Sequence, residues 1–300
     1  MKVLLTGSSG QLGQAIINSK PLGIDLIPTT RSQLDLAKPE SCRDSILRNK
    51  PDWVINAGAY TAVDKAESEE ALAMAINGEA PKVLSEALKE INGKILQIST
   101  DFVFNGSQNY PYKPNQATEP NSVYGRSKEM GELAIKDILK DTNKGFILRT
   151  SWVMGPTGKN FARTMIKLHK ERECIYVVDD QISCPTSTFT LAEACWRIIK
   201  ISTNNKNHNK LPPIMHWCDE GIATWYDVAV MVGEVAEEIG LINKQANIIP
   251  IKTVDYPTAA KRPSYSLLDC VATRASLDIS VLNWRESLHK VLMRMNSQTK

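Results

Sequence analysis

Apolar residues in the first half of the chain gather in short runs at 3–6, 26–29, 53–56, 95–99 and 146–150. Between them the apolar positions recur with helical spacing, most clearly over 69–91 and 127–139. Runs rich in Val, Ile and Leu that alternate with helices predict a parallel sheet covered on both faces. Ligands on such sheets bind beyond the carboxyl ends of the strands. The chemically distinctive residues fall there: Gly7 and Gly10, Arg31, Ala57-Gly58-Ala59, Thr100-Asp101 and Trp152.

After Trp152 the pattern is less regular. A turn cluster, Gly155-Pro156-Thr157-Gly158, precedes a predicted helix over 161–170 and a strand over 174–178. Residues 185–200 hold another helix, and 203–210 read as an exposed polar loop. A strand over 213–218, a helix over 224–239 with Thr224 as N-cap, and a last helix near 284–295 follow. The expected architecture is α/β: a Rossmann-type doubly wound parallel sheet with a smaller α+β region. Residues 1–153 with 186–220 are expected to form the dinucleotide-binding part, and 154–185 with 221–300 the substrate-binding part.

The opening glycines give the first chemistry. Gly7-Ser8-Ser9-Gly10-Gln11-Leu12-Gly13 lies between the first strand and a helix over 11–19. A helix N-terminus there offers free N–H groups and a positive dipole end to a pyrophosphate. The spacing departs from G-x-G-x-x-G, so the strand–turn–helix context carries the reading; the alternative is a tight turn that binds nothing. The second predicted strand runs into Arg31, whose planar donor fork suits a 2′-phosphate. That favours NADPH, with NADH as the alternative. Asp35 is placed to reach the adenine or ribose region.

Tyr124 and Lys128 supply the second constellation. Four residues apart on a helix, they share a face. A free phenol has a pKa of about 10, and a neighbouring ammonium is expected to lower it. Tyr124 could then give a proton to a carbonyl oxygen. The alternative is a solvated helix pair, against which Gly125 and the upstream Pro120-Asn121-Ser122 mark a helix start. Thr100, at the end of the fourth strand, could donate to the same carbonyl oxygen.

Composition narrows the field. A net charge of +3 gives no support to a nucleic-acid partner. No apolar run reaches transmembrane length, and the chain opens on strand and glycine turn, which predicts no signal peptide. Six scattered cysteines without C-x-x-C suit a reducing, cytoplasmic setting. Four histidines lack metal-ligand spacing.

These segments resemble the extended short-chain dehydrogenase/reductases, and among them the dTDP-4-dehydrorhamnose reductase family. The resemblance spans nearly the whole chain. It is carried by Leu5-Thr6-Gly7-x-x-Gly10-Gln11-Leu12-Gly13, Arg31 with Leu34-Asp35-Leu36, and the run from Asn56 to Glu67. Ser99-Thr100-Asp101-Phe102-Val103-Phe104, Val123-Tyr124-Gly125-x-Ser127-Lys128, Arg149-Thr150-Ser151-Trp152-Val153, Asp180-Gln181 with Pro185-Thr186, and Lys261-Arg262-Pro263 continue it.

The resemblance implies reduction of the C4 ketone of dTDP-4-dehydro-L-rhamnose to dTDP-L-rhamnose by NADPH, or by NADH in some members. It implies a catalytic set of Thr100, Tyr124 and Lys128. Gly7, Gly10, Gln11, Leu12, Gly13, Arg31, Asp35, Leu36, Ala57, Gly58, Ala59, Tyr60 and Thr61 would form the cofactor site, with Lys128 on the nicotinamide ribose. Thr100, Asp101, Phe102, Tyr124, Trp152 and Arg262 would meet the sugar nucleotide, Arg262 at its diphosphate. Phe102 and Lys113-Pro114 depart from the family pattern. Where some relatives bind Mg²⁺ between subunits through glutamates, this chain has Ala15 and Phe189. No metal is therefore expected, and the chain is expected to be a monomer or a metal-independent dimer. An epimerase, dehydratase or other 4-keto reductase of the same fold, and a non-catalytic regulatory subunit, are the competing readings.

Overall fold

The computed structural model describes residues 1–203 and 211–299. All five apolar runs form strands: β1 (Lys2–Thr6), β2 (Asp25–Pro28), β3 (Trp53–Asn56), β4 (Lys94–Thr100) and β5 (Gly145–Thr150). With the short strand Ile214–His216 they make a parallel sheet of order β2-β1-β3-β4-β5-(Ile214–His216). The chain runs outward from β1 to β2 and then crosses to β3 on the other side. That reversal opens a crevice at the carboxyl ends of β1 and β3.

Alternation within the strands builds a core on each face. Val3, Leu5, Trp53, Phe146 and Leu148 pack on one side with Trp196 and Trp217. Leu4, Val54, Ile95 and Ile147 pack on the other with Leu84 and Leu88. The period of two thus works on a sheet buried on both sides. A third core, with Met165, Val228, Trp284 and Val291, lies among the helices Phe161–Glu171, Trp225–Glu238 and Trp284–Thr299. These helices accompany a parallel strand pair, Cys174–Val178 with Asn247–Ile251. Thr224 caps its helix through a reciprocal capping box with Asp227.

Two helices depart from the sequence expectation. The helix expected over 127–139 spans Val123–Ile138, because the Ser122 hydroxyl accepts from the Gly125 N–H at 3.1 Å. Tyr124 therefore sits in its first turn. The helix expected over 69–91 is divided into Glu70–Met74, a π-turn at Ala75–Glu79, and Ala80–Glu90. Pro81 has no N–H to give the Asn77 carbonyl one turn back, so the regular ladder cannot pass. Gly131 of the neighbouring helix approaches that carbonyl so closely that a Cβ there would lie 2.3 Å from it. Of the polar loop expected at 203–210, Thr203 closes the helix Thr188–Thr203, and the rest lies outside the described residues.

Beneath the helix Val123–Ile138 lies a buried charge cluster. Glu132 accepts from Arg149 Nε at 2.9 Å and Nη2 at 2.6 Å, and from the Ser99 hydroxyl at 2.5 Å. Arg149 Nη1 donates to the Pro114 carbonyl at 3.2 Å, and the guanidinium lies over the Phe104 ring. Both charged side chains are nearly inaccessible to water. Removing one partner strands the other charge in the interior. Arg149→Ala is expected to lower the unfolding free energy by about 3–5 kcal/mol, measured by urea denaturation. An unchanged unfolding midpoint would show that the pair is not organising this region.

Candidate active site

A cleft of about 1020 Å³ opens at the carboxyl ends of β1, β3, β4 and β5. It draws together Gly7, Gly10, Gln11, Leu12, Gly13, Arg31, Asp35, Leu36, Ala57, Gly58, Ala59, Tyr60 and Thr61 at one end. Thr100, Asp101, Phe102, Tyr124, Lys128, Trp152 and Arg262 line the other. No residue singled out from the sequence for the site lies away from it.

The glycine end is built by close backbone approach. Gly7 has φ +65°, and a Cβ on it would lie 2.7 Å from the Gly58 backbone. A Cβ on Gly13 would lie 2.2 Å from the Gly7 carbonyl. The helix Gln11–Asn18 starts at Gly10 with no side-chain cap, so its first N–H groups face the cleft unshielded by a side chain. Below, the Thr6 hydroxyl donates to Asn56 Oδ1 and accepts from the Gly58 N–H, and Asn56 donates to Gln97. This polar chain holds the ends of β1, β3 and β4 level. Gln11 lines the cleft with its side-chain amide engaged by the protein itself. Its amide oxygen accepts from Gly155 N at 2.9 Å and Asn160 Nδ2 at 2.7 Å, tying down the loop that follows β5. Arg31 is largely exposed and lies 3.6 Å from Asp35.

At the other end the groups are buried. The Thr100 hydroxyl donates to Asp101 Oδ1 at 3.1 Å and lies beside the Tyr124 phenol. Lys128 donates to the Ile98 carbonyl at 2.6 Å. Asp101 accepts from the Ser266 hydroxyl, and burial pushes its carboxyl up to about 6. Phe102 sets its ring edge-on to Tyr124, with centroids 5.7 Å apart. The expectation that Lys128 lowers the Tyr124 pKa is not met. Burial, opposed by the nearby Thr100 hydroxyl and reinforced by the Asp101 charge, pushes the phenol up to about 12. Burial also brings the Lys128 ammonium down to about 8, opposed by Glu132. Desolvation outweighs the pairing that the spacing implied, and Tyr124 stays protonated at neutral pH.

Several residues in or supporting the cleft had no signal in the sequence. Asn77, inside the π-turn, accepts from the Tyr60 N–H and donates to the Tyr60 carbonyl and the Ser127 hydroxyl. It locks the loop after β3 to the helix that bears Tyr124; the Pro81 one turn later was the one available hint. Trp225 stacks on Trp152 at 3.7 Å, with Phe161 tilted against it. Trp152 holds φ +44°, a strained setting for a bulky residue. Arg262 reaches the cleft, but its fork is held by Asp64, at 3.0 and 2.7 Å. That bond keeps the Asp64 carboxyl below its usual range. Ala15 is buried and Phe189 exposed, and among the described residues no three His, Cys, Asp or Glu side chains are grouped to hold a metal.

The family model for the RmlD substrate binding domain matches residues 1–297. The chain belongs to the dTDP-4-dehydrorhamnose reductase family. A dTDP-4-dehydrorhamnose reductase from Burkholderia thailandensis is 35% identical, over 99% of this chain and 100% of that one. The crystal structure of a dTDP-4-dehydrorhamnose reductase from Clostridium acetobutylicum superposes with a TM-score of 0.87 at 34% identity, covering 99% of this chain and 100% of that one. The Bacillus anthracis enzyme in complex with NADP gives 0.86 at 32% identity, covering 97% and 98%. The doubly wound α/β architecture read from the sequence is thus the family's fold.

Family membership leaves a physical cost at Lys128. Its ammonium is buried, and its lowered pKa means that the folded state opposes the charged form. Below pH 8 the folded protein carries this penalty in full. Between about 8 and 10.5 the unfolded chain binds more protons than the folded one, so this group's contribution to stability rises with pH. Lys128→Met is expected to raise the unfolding free energy at pH 7 by about 2–4 kcal/mol, with the gain shrinking towards pH 10. Urea denaturation at both pH values checks this; a variant less stable at pH 7 would contradict it.

Proposed function

We propose that this protein reduces the C4 ketone of dTDP-4-dehydro-β-L-rhamnose to dTDP-β-L-rhamnose, using NADPH. The observation that carries this is the position of Thr100, Tyr124 and Lys128 on the floor of a cleft whose other end is a glycine cradle. The cradle fits a dinucleotide: Cβ atoms at Gly7 and Gly13 would collide with backbone, and the first N–H groups of the following helix are free for a pyrophosphate. When bound, the reduced nicotinamide supplies the hydride.

The chain's own residues supply the proton and the geometry. Tyr124 is protonated at neutral pH, the form a reduction requires of its acid. Thr100 stands beside the phenol and can turn its hydroxyl proton from Asp101 to the same carbonyl oxygen. Lys128, fixed by the Ile98 carbonyl and buried, would hold the nicotinamide ribose and would steady charge developing on Tyr124. The stacked Trp152–Trp225 pair gives an apolar wall beside the sugar. Arg31, exposed at the glycine end of the cleft, would meet the 2′-phosphate of NADPH. Residues 1–153 with 186–220 carry the cofactor and 154–185 with 221–300 the sugar nucleotide. No metal is required, and the protein works in the cytoplasm as a monomer or a metal-independent dimer.

NADPH oxidation in the presence of dTDP-4-dehydro-L-rhamnose, with other 4-keto nucleotide sugars as controls, tests the assignment; no oxidation with any of them would sink it. Tyr124→Phe is expected to lower kcat by about 10²–10⁴-fold while NADPH affinity stays nearly unchanged. More than a tenth of wild-type kcat in that variant would remove the acid role. Arg31→Ala is expected to weaken NADPH by about 1.5–3 kcal/mol and NADH far less, measured by fluorescence titration. Equal losses for both would mean that Arg31 does not read the 2′-phosphate.

A further inference from the structure

The nucleotide-sugar reading leaves one charge question open: which cation meets the substrate diphosphate. C1, which bears the diphosphate, lies across the pyranose ring from C4. With C4 at Tyr124 and Thr100, the diphosphate points away from both; the short helix Val63–Ala66 and the Arg262 segment line the same cleft and are joined through Asp64. The Arg262 guanidinium lines that part of the cleft, but both its Nη atoms are spent on Asp64, and Nη1 also donates to the Thr258 hydroxyl at 2.6 Å. A fork already closed on a carboxylate is a poor acceptor of a second anion.

We propose that Lys65, not Arg262, is the cation that binds the substrate diphosphate, with the Asp64–Arg262 pair acting to position it. Lys65 lines the cleft and is exposed. The carboxylates around it are already engaged. Asp64 is held by Arg262, Glu67 accepts from the Val123 N–H at 2.9 Å, and Glu69 accepts from the Tyr60 phenol at 2.6 Å. None of them closes a salt bridge on Lys65 among the described residues. Its short helix is also fixed at both ends of the problem. Glu67 ties it to the N-terminus of the helix bearing Tyr124, and Asp64 ties it to Arg262 and to the Ala260 N–H at 3.2 Å. Lys159, the other cleft lysine outside the floor, sits by Gln11 at the glycine end, since Gln11 Nε2 donates to its carbonyl at 3.3 Å. It is therefore on the dinucleotide's side of the cleft. Lys65 stands beside Asp64, which is tied to the Arg262 segment, and its own charge is unspent among the described residues.

This assignment rests on the proposed substrate, and binding of dTDP by calorimetry, with NADP⁺ saturating, separates the two. The wild-type protein is expected to bind dTDP, and Lys65→Gln to weaken it by about 10- to 100-fold, the usual loss for a charged hydrogen bond. Lys65→Arg should restore most of the affinity, and NADPH affinity should change less than twofold in either variant. Arg262→Gln should lose less dTDP affinity than Lys65→Gln. In turnover, Lys65→Gln should raise the KM for the sugar nucleotide with kcat nearly unchanged. Wild-type dTDP affinity in Lys65→Gln, a parallel loss of NADPH affinity, or a larger loss in Arg262→Gln would each overturn the assignment. Failure of the wild-type protein to bind dTDP would overturn the substrate reading itself, and the Lys65 assignment with it.

Discussion

Glu132, on the buried face of the helix that bears Tyr124, receives hydrogen bonds from two strands at once: Ser99 on β4 and Arg149 on β5. Ser99 and Arg149 are register partners in the sheet. One carboxylate therefore fixes the helix to the sheet at the point where β4 ends in Thr100. Lys128 stands one turn earlier on that helix and reaches the Ile98 carbonyl of the same strand. The distances among Thr100, Tyr124 and Lys128 follow from this clamp. In the low dielectric of the interior such charge-assisted bonds are strong if every donor is satisfied and costly if one is left over. Arg149 meets that condition by also donating to the Pro114 carbonyl.

The rest of the cleft is arranged around that floor. The Thr6–Asn56–Gln97 chain levels the strand ends on which the glycine cradle rests. Asn77 carries the alignment across to the loop after β3, and Gln11 carries it to the loop after β5. Each link is a buried or half-buried side-chain amide with both its oxygen and its nitrogen engaged. Such groups specify one arrangement, because any slip leaves polar atoms unpaired. The chemistry then needs little further motion: a protonated phenol, a hydroxyl and an ammonium already share one face of the cleft.

Much of this was legible in the sequence, for a physical reason. Strands buried on both faces are continuous apolar runs, and a helix that starts on glycine must have a backbone reason to do so. Both signals are local. The fold class and the location of Gly7, Thr100 and Tyr124 at strand or helix ends followed from them. Interactions between distant segments were not legible. Trp225 meets Trp152, Asp64 meets Arg262, and Glu132 meets Arg149 only once the fold exists. The π-turn at Ala75–Glu79 depends on Pro81 together with the close passage of Gly131. The Tyr124 pKa misled for the same reason: spacing shows that an ammonium is near but not how deeply both groups are buried. Lys128 is directed at a strand carbonyl, and desolvation decides the sign.

The central claim is that this cleft delivers a hydride to C4 of a 4-keto nucleotide sugar. Its most direct test is isotope transfer from NADPH deuterated at the reactive C4 position of the nicotinamide. Incubation with dTDP-4-dehydro-L-rhamnose should place one deuterium at C4 of the rhamnose product, seen by NMR as loss of the H4 signal. Deuterium at another ring position, or reduced sugar without deuterium when either face of the nicotinamide is labelled, would contradict the account.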